Sequence, residues 1–204
     1  MRFVILVSLF LVTELKAEAL EKEINGVTYT AHLTGYQETA EINYVSAHSQ
    51  SVTVSVNVRS TVTFEYTWYT YTYDDDGQSI KIPHTRNLTG PVTDISFSSP
   101  EMTSITIPNT VTSVSLNCSG LTSVTIPEHV IYTNLDGCSG LTSVIWNAKN
   151  ETDHPNIPSS VTHITIGSQV ETLPAGFASE TKITNINIPN SVKVISYNAF
   201  RNCI

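Results

Sequence analysis

Charge is scarce in this chain. Asp, Glu, Lys and Arg make up 14% of its 204 residues, with 10 basic against 18 acidic side chains and a formal net charge of −8. Lys and Arg form no cluster anywhere, and the isoelectric point is near 5.1. A nucleic-acid interface needs a basic patch, so that class is excluded, and tight adhesion to an anionic membrane is disfavoured. Cysteine is equally sparse, at three residues. That is too few for a disulfide framework, and nothing matches the four clustered ligands of a structural zinc site. The six histidines (His32, His48, His84, His129, His154, His163) show no HExxH or other paired spacing. No G-x-S-x-G nucleophile turn is present either. Asp74-Asp75-Asp76-Gly77 has its glycine too early, and no acid twelve positions on, for a calcium loop. The expectation is a non-catalytic chain with no metal and no cofactor.

Long apolar runs are missing with one exception, Phe3–Val12. As a helix this run would cover about 15 Å, against about 30 Å of hydrocarbon in a bilayer. With Arg2 before it and Ala17-Glu18-Ala19 after it, residues 1–19 read as a secretory signal peptide. Removing them takes away Arg2, Lys16, Glu14 and Glu18, so the charge stays at −8. The mature chain is then expected to carry no transmembrane segment and to be secreted or held at the cell surface.

Thr, Ser, Val and Ile dominate what remains, a composition suited to pleated, half-buried strands. In the C-terminal half an L-x-x-V-x-I phrase starts at Met102, Leu121, Leu141, Val161 and Ile183, at spacings of 19, 20, 20 and 22 residues. A unit that short cannot bury its own apolar side, so neighbours must stack into a repeat solenoid with a shared core. In Leu121–Ile126 the two-residue period sends Val124 and Ile126 inward and Ser123 and Thr125 to solvent. Ile105, Val124, Val144, Ile164 and Ile186 are expected to form one dry spine. Pro127 follows directly and ends the strand; the same Ile-Pro pair occurs at Ile82-Pro83, Ile107-Pro108 and Ile188-Pro189. A second extended stretch comes about three residues later, as in Val92–Phe97, Val111–Leu116 and Val192–Ile195. One unit departs from this: Asn147–Ser160 lacks the second strand and reads as a surface loop with two prolines. Cys118 and Cys138 are 20 residues apart at the same repeat position, and Cys203 holds the equivalent place in the last unit. They read as small buried hydrophobes, with a bridge between Cys118 and Cys138 as the alternative.

Residues 20–78 are expected to form a small β-meander cap over the open end of the array. Val52, Val54, Val56 and Val58 alternate with polar residues, as do Val62, Phe64, Tyr66 and Trp68. Arg59-Ser60-Thr61 between them is short enough for a hairpin. The phase flips at Trp68-Tyr69, which predicts a bulge. The aromatic run Trp68, Tyr69, Tyr71, Tyr73 has two readings, as the buried side of the cap or as planes that stack on sugar rings.

The segments IPNSVKVISYNAFRNC (188–203), CSGLTSVTIP (118–127) and LTSVIWNAKN (141–150) strongly resemble the BspA-like leucine-rich repeat family, over residues 79–204. INGVTYTAHL (24–33) looks, more loosely, like the β-structured leader that often precedes such repeats. The resemblance implies a mainly β fold, a leucine-rich-repeat solenoid with a parallel sheet, and adhesion to host matrix proteins or other cells. On that fold the outward ladder Ser104, Thr106, Ser123, Thr125, His163, Thr165, Asn185 and Asn187 is the candidate protein-binding face. A glycan-binding surface at Trp68, Tyr69, Tyr71 and Tyr73 is the alternative. The expected partner is an extracellular protein or glycan, with end-to-end self-association as a further expectation.

Overall fold

The computed structural model describes residues 20–35, 40–49, 55–74, 77–151 and 154–204, with the side chain of Trp68 left out. The expected signal peptide lies outside the described residues. Every regular element among them is a strand, and the chain is mainly β. In order these are β1 (Leu20–Ile24), β2 (Val27–Thr34), β3 (Glu41–Ser49), β4 (Ser55–Asn57), β5 (Thr61–Tyr73), β6 (Ser79–Ser98) and β7 (Ser104–Thr106). They continue with β8 (Ser113–Asn117), β9 (Ser123–Ile126), β10 (Tyr132–Asn134), β11 (Ser143–Trp146), β12 (His163–Ile166), β13 (Thr172–Leu173) and β14 (Val194–Ile195).

The repeats pair in parallel and in register. Ser123, Ser143 and His163 are direct partners across β9, β11 and β12, and Val124, Val144 and Ile164 form the next row. The second strands of the earlier units join a different sheet, in which β3, β6, β8 and β10 run parallel side by side, while β13 and β14 pair with each other in a separate two-stranded sheet. Short repeats give this result because each strand can bury its apolar side only against the strand one unit away. Val124 and Ile164 are buried and Val144 is fully so; Leu121, Leu141 and Val161 stack in a second row with no exposed surface. One apolar cluster runs from Val27 to Ala199. The expected spine is complete in its middle three members, while Ile105 and Ile186 are only half-buried against it.

The cap departs from the expected hairpin. β4 does not pair with β5. It lies parallel to β7, with Val56 opposite Ile105, while β5 forms a thirteen-pair antiparallel ribbon with the first part of β6. Alternation identifies a strand but not its partner. Here Val56 and Val58, both buried, cover the edge that the first repeat would otherwise expose. β1, β2 and β3 do form an antiparallel meander, and β3 hands its outer edge to β6.

Three further expectations are corrected. The ribbon register runs unbroken through Trp68 and Tyr69, so no bulge lies there. Pro83 does not end a strand but sits inside β6 opposite Tyr69. A two-stranded ribbon has free outer edges, where a missing N–H costs no ladder bond. The described residues of the expected surface loop, 147–151 and 154–160, are partly buried. Ala148, Glu151 and Ile157 are buried. Asn156 takes the place of the missing strand, bridging Asn134 and exchanging backbone bonds with Thr133 and Leu135. Thr133 faces inward in the row Tyr29, Ala47, Ile95, Val114, Thr133, and its hydroxyl donates to the buried Glu151 carboxylate at 2.7 Å. A polar side chain in the core is thereby matched by one the loop brings in.

Cys118 and Cys138 are fully buried free thiols and Cys203 is half-buried. Each of the buried pair points its Sγ at the backbone of the preceding unit, Cys118 to Phe97 O at 3.6 Å and Cys138 to Leu116 O at 3.4 Å. The Cys118 thiol beside it, and then burial, push the Cys138 thiol well above the ordinary thiol range. With no exposed surface, both thiols are shielded from reagents in the fold. A thiol titration should find Cys203 reacting first in native protein and all three thiols reacting in urea. A single thiol in urea would mean that Cys118 and Cys138 are bridged instead.

Candidate binding faces

The first face is the outside of β9, β11 and β12. Ser123, Thr125, His163 and Thr165 are exposed there, with Ser143 half-buried and Ile145 exposed between them. They share rows because the strands pair at whole-repeat offsets, so like positions fall side by side about 4.8 Å apart. The other four ladder residues are not part of that sheet. Ser104 and Thr106 lie on β7, which pairs with β4. Asn185 and Asn187 are exposed, but residues 182–189 form no strand, so the ladder stops at β12. Alternation survives there, with Ile183 buried and Ile186 and Ile188 half-buried, although the backbone ladder does not.

Where this face meets the following turns there is a polar cleft of about 290 Å³, lined among others by Thr125, Glu128, Asn147, Lys149 and Gln169. Lys149 Nζ lies 2.6 Å from the Glu128 carboxylate and holds that carboxyl below its usual range. The pair ties adjacent repeats, and its contribution is lost as acid titrates Glu128.

The second face was not singled out by sequence reasoning. Across β2, β3, β6, β8 and β10 one outward row reads Thr28, His48, Ser96, Ser115, Asn134, and the next reads Thr30, Ser46, Asp94, Ser113, Tyr132. A shallow groove of about 460 Å³ lies over the middle of these rows. His48, which lines the groove, has its Nε2 3.2 Å from Thr30 Oγ1, and the nearby His32 has its Nε2 3.3 Å from Ser46 Oγ. His32 also stacks on Tyr44 at 4.1 Å. A signal existed in the sequence, since Ser96/Ser98 and Ser113/Ser115 alternate against Ile95/Phe97 and Val114/Leu116. That β3 would extend those rows depends on a parallel pairing no local pattern announces.

The aromatic run divides. Tyr66 is buried with Leu88 and Ala40, whereas Tyr69, Tyr71 and Tyr73 are exposed. The reading of the whole run as core therefore fails for these three tyrosines. They share one strand face, and Trp68, opposite His84, occupies the alternate register.

No group of three His, Cys, Asp or Glu residues that could hold a metal occurs among the described residues. No helix there is long and apolar enough to cross a membrane. Parallel strands at whole-repeat offsets, one shared apolar interior and broad outward polar rows define a stacked-repeat β protein. The chain belongs to the BspA type leucine rich repeat family, whose model matches residues 91–204 in six copies. Such repeats typically serve as non-catalytic scaffolds for protein interaction, and BspA-type proteins are typically secreted or found at surfaces. No curated protein and no solved structure matches the chain.

Proposed function

We propose that this protein is a secreted, non-catalytic adhesion module whose repeats wind as a solenoid and bind extracellular proteins of a host matrix or cell surface. The observation that carries the reading is the set of in-register polar rows on β9, β11 and β12. Rows of hydroxyl and imidazole groups at strand spacing, interrupted only by the exposed Ile145, suit the backbone and side chains of a partner protein. Rigidity helps, because side chains already held by the sheet lose little freedom on binding. Membership in a family of interaction scaffolds supports the same reading, and the leader at residues 1–19 supports export.

The test is capture of the full chain from Leu20 on immobilised extracellular-matrix proteins. The combined substitution Ser123→Lys, Thr125→Lys and Thr165→Lys replaces exposed side chains only, so the fold should persist. It should weaken capture at least tenfold. Matching changes on the other sheet, Ser96→Lys and Ser115→Lys, report whether the wider second face contributes. Capture that is indifferent to both sets would sink the reading.

A further inference from the structure

The ribbon of β5 and β6 extends beyond the core, and its outer part has solvent on both faces. Register separates those faces cleanly. Tyr69, Tyr71 and Tyr73 stand opposite Pro83, Lys81 and Ser79, and the same face continues inward with Thr67, Glu65 and Thr63 opposite Thr85, Asn87 and Thr89. The alternate face carries Ile80 and Ile82. The tyrosines are 40%, 61% and 56% exposed, more than a ring packed on the body of the protein would be.

We propose that the Tyr69–Tyr71–Tyr73 face binds an uncharged oligosaccharide, whose sugar rings lie with their C–H faces on the Tyr71 and Tyr73 rings. The chemistry of the face favours a glycan over a protein. Apart from Pro83 and Pro91, the latter opposite Thr61, it holds only aromatic, hydroxyl, amide and single charged groups, whereas the aliphatic Ile80 and Ile82 that a protein partner would cover are on the other side. Tyrosine suits such a ligand because an apolar ring carries a polar rim that can hydrogen-bond sugar hydroxyls. Same-face residues on a strand are about 6.8 Å apart, so the three tyrosines span about 14 Å, with the Tyr69 ring covered by Lys81 at the inner end. Thr63 bonds Thr89 at 2.6 Å and Thr67 bonds Thr85 at 3.2 Å, a polar continuation of that strip.

The charges present do not call for an anionic sugar. Lys81 Nζ sits 3.6 Å from the Tyr69 ring centroid and is already engaged, and Glu65 is the other charged group on the face. The platform is also braced at its tip. Asp74 accepts from Gln78 N at 2.7 Å through its side chain, and the Asp74 backbone exchanges bonds with Gln78 and Gly77. A strand backbone held this way adds less ordering cost on binding.

The experiment is affinity electrophoresis of the full chain from Leu20 through gels containing xyloglucan, mixed-linkage β-glucan or galactomannan, with a sialylated glycoprotein gel as the charged comparison. Retardation by at least one neutral polysaccharide is expected. Tyr71→Ala with Tyr73→Ala should weaken it at least tenfold, Tyr71→Phe should keep it, and Ile80→Ser with Ile82→Ser on the opposite face should leave it unchanged. Retardation by none of the neutral polymers overturns the proposal. So does retardation only by the sialylated gel, or retardation that survives loss of the tyrosines and disappears with the isoleucines.

Discussion

Gly140→Ala should cost this protein about 3 kcal/mol, enough to remove much of the stability of a small domain. A Cβ built at Gly140 would lie 2.2 Å from the carbonyl oxygen of Ser119, one repeat earlier. The obstacle is backbone, so no flexible side chain can swing aside, and relief requires the two units to move apart. Gly120 meets the same obstacle, with Pro100 O at 2.5 Å. Separation would open the rows on both sides of the turn, because Leu121 and Leu141 are fully buried next to these glycines. Urea unfolding should show a lower midpoint for Gly140→Ala and a larger loss for Gly140→Val. Ser160 is the internal control. It occupies the same place in the next unit, and its hydroxyl donates to Leu141 O at 2.7 Å. Ser160→Ala should cost only about 1 kcal/mol, the net worth of one hydrogen bond. Equal losses at positions 140 and 160 would mean that the close approach of the two turns is not what limits the stack.

Trp146→Ala should be the most damaging single truncation, at about 3–5 kcal/mol. Trp146 is fully buried, and its neighbours in the row are Ile126 and Ile166. An indole among isoleucines has volume to spare. That volume reaches the edge of Phe177, ring centroids 5.2 Å apart at 75°, and Phe177 in turn meets Phe200. Removing the ring therefore opens a cavity where three repeats meet. Trp146→Phe separates packing from polarity. The indole Nε1 is buried with no hydrogen-bond partner among the described residues, an arrangement that carries a desolvation penalty. Phenylalanine removes that penalty while keeping an aromatic edge for Phe177, so it should cost about 1 kcal/mol. The readout is again the urea midpoint. A Phe variant as unstable as the Ala variant would show that the indole N–H makes a bond in solution.

Much of this was legible in the residues. The L-x-x-V-x-I phrase located the rows of Leu121, Leu141 and Val161 and of Val124, Val144 and Ile164, because a period of two inside a period of twenty leaves one way to bury both. The polar positions Ser123, Thr125, His163 and Thr165 followed from the same parity. Elsewhere the pattern was present but its partner was not. Val56 and Val58 alternate as well as Val62 and Phe64 do, yet β4 goes to β7 and β5 to β6. Asn185 and Asn187 keep the alternation of the ladder without its backbone pairing.

By itself, the sequence determined the repeat length, the inward and outward sets and the exclusion of a basic interface, since each depends only on spacing and composition. The tertiary structure alone decided which strands meet. Parallel pairing joins residues far apart in the chain, and the choice among partners rests on which edge is left uncovered, a quantity that exists only once the other strands are in place. The same dependence explains why β3 widens the second face, why Glu151 is buried against Thr133, and why Tyr69, Tyr71 and Tyr73 stand in solvent while Tyr66 does not.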